Sequence, residues 1–114
     1  MLFRSVVGMS DSAMAVAVRR LANIGGGVVV VDGAEVIAEL PLPVAGLLSD
    51  APLAEVLERS RAILAGARAL GCTVDAPFQL LSFLALSVIP KLKITDQGLV
   101  DVDRFEIVPL EAKA

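Results

Sequence analysis

Apolar residues recur at helical spacing in three segments of this chain, and between these segments lie β-branched runs cut by glycine and proline. The stretch the others bracket is Ile24 to Asp50. Gly25, Gly26 and Gly27 end one helix and open a strand of four valines, Val28 to Val31. Asp32-Gly33 turns the chain back, because Asp-Gly between two β-prone runs suits a tight turn whose central residues both need positive φ. Glu35 to Leu40 returns beside the valines. An unbroken valine run implies burial on both faces, so that strand is expected to be central with helices covering it. Pro41 cannot donate to a ladder, which places the returning strand nearer an edge.

The flanking pattern fills in the remaining elements. Val6-Val7-Gly8 reads as the tail of a strand. Ser10 or Asp11 caps a first helix, whose stripe is Met14, Ala17, Val18, Leu21 and Ala22, and Gly25 supplies its left-handed stop. Pro41 and Pro43 hold Leu40 to Val44 extended. Ser49 or Asp50 caps a second helix, with Pro52 in its first turn, where the missing N–H costs little. Leu53, Val56, Leu57, Ile63, Leu64, Ala67 and Leu70 form its apolar face, and Gly71 ends it. A third helix, Phe78 to about Leu86, is apolar nearly all round and therefore expected to be buried. Lys91–Ile94 and Leu99–Val102 pair across a turn at Asp96–Gly98, and Phe105–Val108 is a last strand. The expected fold is α+β: a mainly antiparallel sheet with about three helices packed on one side of it, as a partial domain.

Composition sharpens this picture in one respect. The apolar fraction is 56% before glycine is counted, whereas soluble domains reach about 45–50% with glycine included. Such an excess calls for a contact patch or for a larger body that covers it. A net charge of −3 with scattered basic residues, and no Trp or Tyr, argues against nucleic acid as a partner. The apolar run Phe78 to Ile89 falls short of the roughly 20 residues a membrane span needs, and Met1 to Gly8 is too short for an export signal. With a single cysteine, Cys72, the chain is expected to be soluble and cytoplasmic, with no membrane partner.

Candidate chemistry is sparse. The chain has no histidine, which removes the commonest general base and the commonest transition-metal ligand. Cys72 therefore has no histidine to activate it and reads as a small apolar residue. Gly25, Gly26 and Gly27 invite a phosphate-loop reading, but the order is helix, glycines, strand rather than strand, glycines, helix. Glu35 and Glu39 are expected on one strand face, and Asp101 and Asp103 on another. Paired carboxylates can do acid–base work or hold a hard cation, but a solvated edge looks the same. The segment Leu40 to Asp50 combines a rigid loop with the polar tips Ser49 and Asp50. These two residues and the three glycines are the candidates for a substrate pocket or an interface.

At this point a resemblance enters. The stretch LANIGGGVVVVDGAEVIAELPLPVAGLLSD, followed by LGCTVDAPFQLLSFLALSVIPKLKITDQGLVDVDRFEIVPL, closely resembles the C-terminal domain of bacterial adenine deaminases. That family consists of metal-dependent amidohydrolases of purine salvage that convert adenine and water to hypoxanthine and ammonia. The resemblance covers Val6 to Leu110, and no counterpart is matched for residues 1–5, so residues 6–114 are expected to form the domain. It implies an N-terminal amidohydrolase barrel as the missing partner, holding the divalent metal (manganese or iron). It also implies a homo-oligomeric parent enzyme and an N-terminally truncated piece here. No catalytic or metal-binding residue of the family maps onto this chain. The fragment is thus expected to be inactive alone, with a structural or pocket-closing role and no cofactor of its own. The alternative is a free-standing α+β module that binds a protein partner or a small ligand.

Overall fold

A computed structural model describes residues 5–95 and 97–111. Asp96, expected in a turn, and Met1 to Arg4, within the unmatched residues 1–5, lie outside the described residues. The chain divides into two compact units, residues 6–78 and residues 79 onward.

In the first unit, helix α1 spans Asp11–Asn23, strand β1 Gly27–Asp32, strand β2 Glu35–Pro41 and helix α2 Leu53–Ala69. Ser10 is the N-cap of α1, its Oγ accepting from the Ala13 N–H at 3.5 Å. Both α1 and α2 close in the same way. The N–H groups of Gly25 and Gly26 donate to Ala22 and Leu21, and those of Gly71 and Cys72 donate to Arg68 and Ala67. This pair of bonds satisfies carbonyls that the last helical turn leaves without partners. The N-cap of α2 is Pro52, without a side-chain bond, and not the expected Ser49 or Asp50. Ser49 Oγ instead accepts from the Ala51 N–H at 3.1 Å, a local turn that forms ahead of the helix.

β1 and β2 pair antiparallel, but Gly33-Ala34 makes the turn and Asp32 pairs with Glu35. Of the two turn residues only Gly33 has positive φ, 58°, so the expected Asp-Gly turn with two left-handed residues is replaced by a Gly-first turn. The register shifts between Val30 and Val31, leaving Ile37 as the extra residue of a bulge. This shift changes what the strand presents. Glu35 opposes Asp32 and Glu39 opposes Val29, three residues apart, so the two glutamates face opposite sides rather than sharing one.

The core lies on one face of the hairpin. Val30, Leu40 and Ile63 are the buried hydrophobic residues among those described, with Val28, Ala38, Leu42, Val56 and Phe78 packed around them. Burial of each of the three contributes about 1.5–3 kcal/mol. α2 lies directly on the hairpin at Gly66, where an added Cβ would sit in ordinary contact with Val30, Ile37 and Ala38 at 3.5 Å. Leu53, Leu57 and Leu70, assigned to the buried stripe of α2, are exposed. α1 packs along β1, and its Arg20 meets Glu39, whose position alternates with the core-facing Leu40. Helices therefore engage both faces of the hairpin, contrary to the one-sided layer. β1 is not central either: among the described residues it pairs with β2 alone. Val6 to Gly8, expected as a strand tail, carries no strand pairing.

Helix α3, Pro77–Leu84, begins with Phe78 against this core and continues into the second unit. It is apolar as expected but not buried: Leu80, Phe83 and Leu84 are exposed. Strands β3 (Leu92–Thr95), β4 (Gly98–Asp101) and β5 (Glu106–Val108) form an antiparallel meander. Thr95 Oγ1 donates to the Gly98 carbonyl at 2.9 Å and accepts from the Gln97 N–H at 3.2 Å, closing the first turn. Asp101 Oδ1 accepts from the Arg104 N–H at 3.1 Å, closing the second. Asp103 sits in that turn and not on a strand beside Asp101, so the second expected carboxylate pair does not form.

Candidate functional site

The sequence candidates fall on two segments that the fold brings together. A Cβ at Gly26 would lie 2.7 Å from the Gly46 Cα, and one at Gly27 would collide with the Leu40 carbonyl. The Leu42 N–H donates to the Gly26 carbonyl at 3.0 Å. Gly26 and Gly27, at φ 116° and 140°, thus form a backbone seat for the loop that follows β2, whereas Gly25, at φ 77°, closes the helix and approaches nothing in that loop. Only glycine permits both these φ values and this proximity.

The sequence pattern puts a turn at Gly46 to Asp50, leading to the second helix, and the tight turn that forms there spans Val44 to Leu48. Val44 and Leu48 exchange two backbone bonds, each 3.1 Å, and the Leu47 N–H also donates to the Val44 carbonyl at 3.0 Å. Ala45 and Gly46 both have positive φ, 56° and 72°. A left-handed alanine costs about 1–2 kcal/mol, so the surrounding loop holds it in place. Val44, Leu47 and Leu48 are exposed around the turn. Ser49 and Asp50 follow: Ser49 is occupied with its own backbone, and Asp50 is exposed with no side-chain partner among the described residues.

A second feature lies on the hairpin. Arg20 grips Glu39 through two bonds, Nε to Oε2 at 2.7 Å and Nη2 to Oε1 at 2.8 Å. The hydrogen bond from Arg20 lowers the Glu39 carboxyl below its ordinary value against some desolvation, and the charges of Arg20 and Arg59 pull in the same direction. Arg20 is raised by the same bond. A shallow groove of about 460 Å³ runs here, lined by Arg20, Val36, Ile37, Ala38 and Glu39. None of the five candidate residues lines it. In the sequence Glu39 reads as one of a carboxylate pair with Glu35 or as a solvated edge residue, not as an arginine partner. The separation of 19 positions between Arg20 and Glu39 left no local signal of the pairing.

The described residues contain no group of three or more His, Cys, Asp or Glu arranged to hold a metal ion. The residues present do not fit the divalent metal that the resemblance implies, and no catalytic step can be derived through it. Among the described residues no helix is long and apolar enough to cross a membrane.

What the geometry defines is an α+β fold with a glycine-seated loop and exposed apolar side chains. Residues 4–106 match the model of the adenine deaminase C-terminal domain. The chain is 50% identical over 105 residues to an adenine deaminase of Oleidesulfovibrio alaskensis, covering 92% of this chain and 18% of that protein. It is 53% identical over 106 residues to one of Archaeoglobus fulgidus, covering 93% and 19%, and 53% identical over 103 residues to one of Brucella abortus, covering 90% and 18%. The chain belongs to the adenine deaminase C-terminal domain family. It spans about a fifth of the length of these curated relatives.

Proposed function

We propose that this chain acts as the C-terminal domain of an enzyme that converts adenine and water to hypoxanthine and ammonia. The observation that carries the reading is identity of 50–53% sustained over nine-tenths of the chain to proteins named adenine deaminase. Within such an enzyme the chemistry belongs to the other four-fifths. Attack on the purine ring calls for an activated water and a proton shuttle for the departing amine, and this chain has no histidine for either task. The divalent metal, manganese or iron, would be held by an N-terminal amidohydrolase barrel. The role left to this domain is structural: a layer that packs on that barrel and closes part of the purine pocket, in a cytoplasmic homo-oligomer.

The test is a pair of assays for hypoxanthine formation in manganese-containing buffer. The 114-residue chain alone is expected to give none. Residues 4–106 are then substituted for the matching segment of the Archaeoglobus fulgidus relative, and this chimera is expected to turn over adenine. Activity from the lone chain, or a folded but dead chimera, overturns the reading.

A further inference from the structure

The Val44–Leu48 turn combines three properties that its place in the fold does not require. It is locked: prolines lie at 41 and 43, Val44 and Leu48 bond to each other, and Leu42 is tied to Gly26. It holds a non-glycine residue, Ala45, in the left-handed region. And it exposes three large aliphatic side chains, Val44 at 48%, Leu47 at 58% and Leu48 at 64%. Backbone strain and exposed apolar surface both work against the isolated fold, and where they coincide on a rigid loop they mark a binding element.

The chemistry of the turn selects the kind of partner. Leu40 to Ser49 carries no charged residue, and the first charge after it is the exposed Asp50 carboxylate, which repels a phosphate or a nucleic acid. A purine base needs hydrogen-bonding groups along its edge. Here the Val44 and Leu48 backbone groups bond to each other, and Ser49 Oγ accepts from the Ala51 N–H, which leaves a ligand only the short turn tip at Ala45 to Leu47 and the Ser49 hydroxyl proton. What dominates the exposed surface of the turn is a preorganised aliphatic tooth, and its complement is an apolar socket on protein. About four-fifths of the relatives' length lies outside this chain, which is ample to supply one.

We propose that the Val44–Leu48 turn is the anchor by which this domain docks into an apolar socket on the remainder of its parent polypeptide, and that it does not touch adenine. This rests on reading the chain as one domain of a longer deaminase. The anchor is preformed, so docking orders no loop and the turn enters as a rigid body.

The test places Leu47→Asp with Leu48→Asp in two backgrounds, the Archaeoglobus chimera and the 114-residue chain. In the chimera the melting transition is expected to fall by more than about 5 °C, and limited proteolysis to cut sooner at the domain junction. The KM for adenine should stay within two-fold. In the 114-residue chain the same pair should shift melting by less than about 2 °C, because the side chains are already in water. A tenfold rise in KM with melting unchanged overturns the proposal, since the turn then contacts substrate. Unchanged melting and proteolysis in the chimera overturn it as well, and so does equal destabilisation of both backgrounds. Loss of self-association in the 114-residue chain, seen by light scattering, overturns it in favour of a second copy as occupant. An inactive unmodified chimera removes the deaminase reading alone, because melting and proteolysis still report on docking.

Discussion

The two units have similar raw material and reach different ends. In residues 6–78 the hairpin β1–β2 receives α2 on one face and the Arg20–Glu39 link on the other, and Val30, Leu40 and Ile63 reach burial. In the second unit three short strands pair in sequence order, and none of the described side chains on them is buried, although Leu92, Ile94 and Ile107 are as apolar as the valines of β1. The difference lies in what covers the sheet. A two- or three-stranded ribbon excludes water only when another element lies across it, and within the first unit α2 lies across the β1–β2 hairpin. Apolar content alone does not make a core.

That contrast can be broken most severely at its centre. Ile63→Ala, at 5% exposure, is expected to cost about 2–5 kcal/mol by urea unfolding. Ile94→Ala, at 84% exposure, should stay within about 0.5 kcal/mol. Equal losses would mean that the meander has a core of its own. Next is the glycine seat. Gly27→Ala forces a Cβ into the Leu40 carbonyl at φ 140° and should cost on the order of 3 kcal/mol, as strain and overpacking combine. Gly33→Ala meets nothing within 4 Å and carries only the left-handed penalty, about 1–2 kcal/mol. If the two matched, the close approach of loop and glycines would not be holding the first unit together.

A gentler probe is native-state hydrogen exchange. Amides paired between β1 and β2 should be more protected than those between β4 and β5, because protection follows local packing. The smallest effect is electrostatic. The Glu39 carboxyl is lowered in the fold, so its stabilisation is present above the unfolded carboxylate value, about 4.3, and drains away as pH falls through the lowered folded value. Glu39→Gln should remove that part of the acid-side slope and leave stability above pH 6 otherwise parallel. An unchanged slope would show that the link between α1 and β2 does not matter to the first unit.

Most of the elements were legible because their signals are local. The spacing of Val56 and Ile63, the Ser10 cap and the glycine stops at 25 and 71 each act within a turn or two of chain, and the structure places them as read. The errors share a different origin. The Ile37 bulge, the exposure of Leu53 and Leu57, the bare surface of α3 and the open edge of β1 all depend on what stands opposite a segment. Of the candidate positions, Gly26 and Gly27 were visible as a helix stop, but their role as a seat for Gly46 and Leu42 was not, because the contact spans some 20 positions.

The amino-acid order alone settled the helices, the hairpin, the α+β class and the family, since these rest on short-range periodicity, turn chemistry and a shared order of unusual segments. Tertiary structure decided which apolar residues leave water and which glutamate finds an arginine. It also decided that a left-handed Ala45 would carry three aliphatic side chains into solvent. Those outcomes depend on pairs of distant surfaces meeting, and no residue encodes its partner by itself.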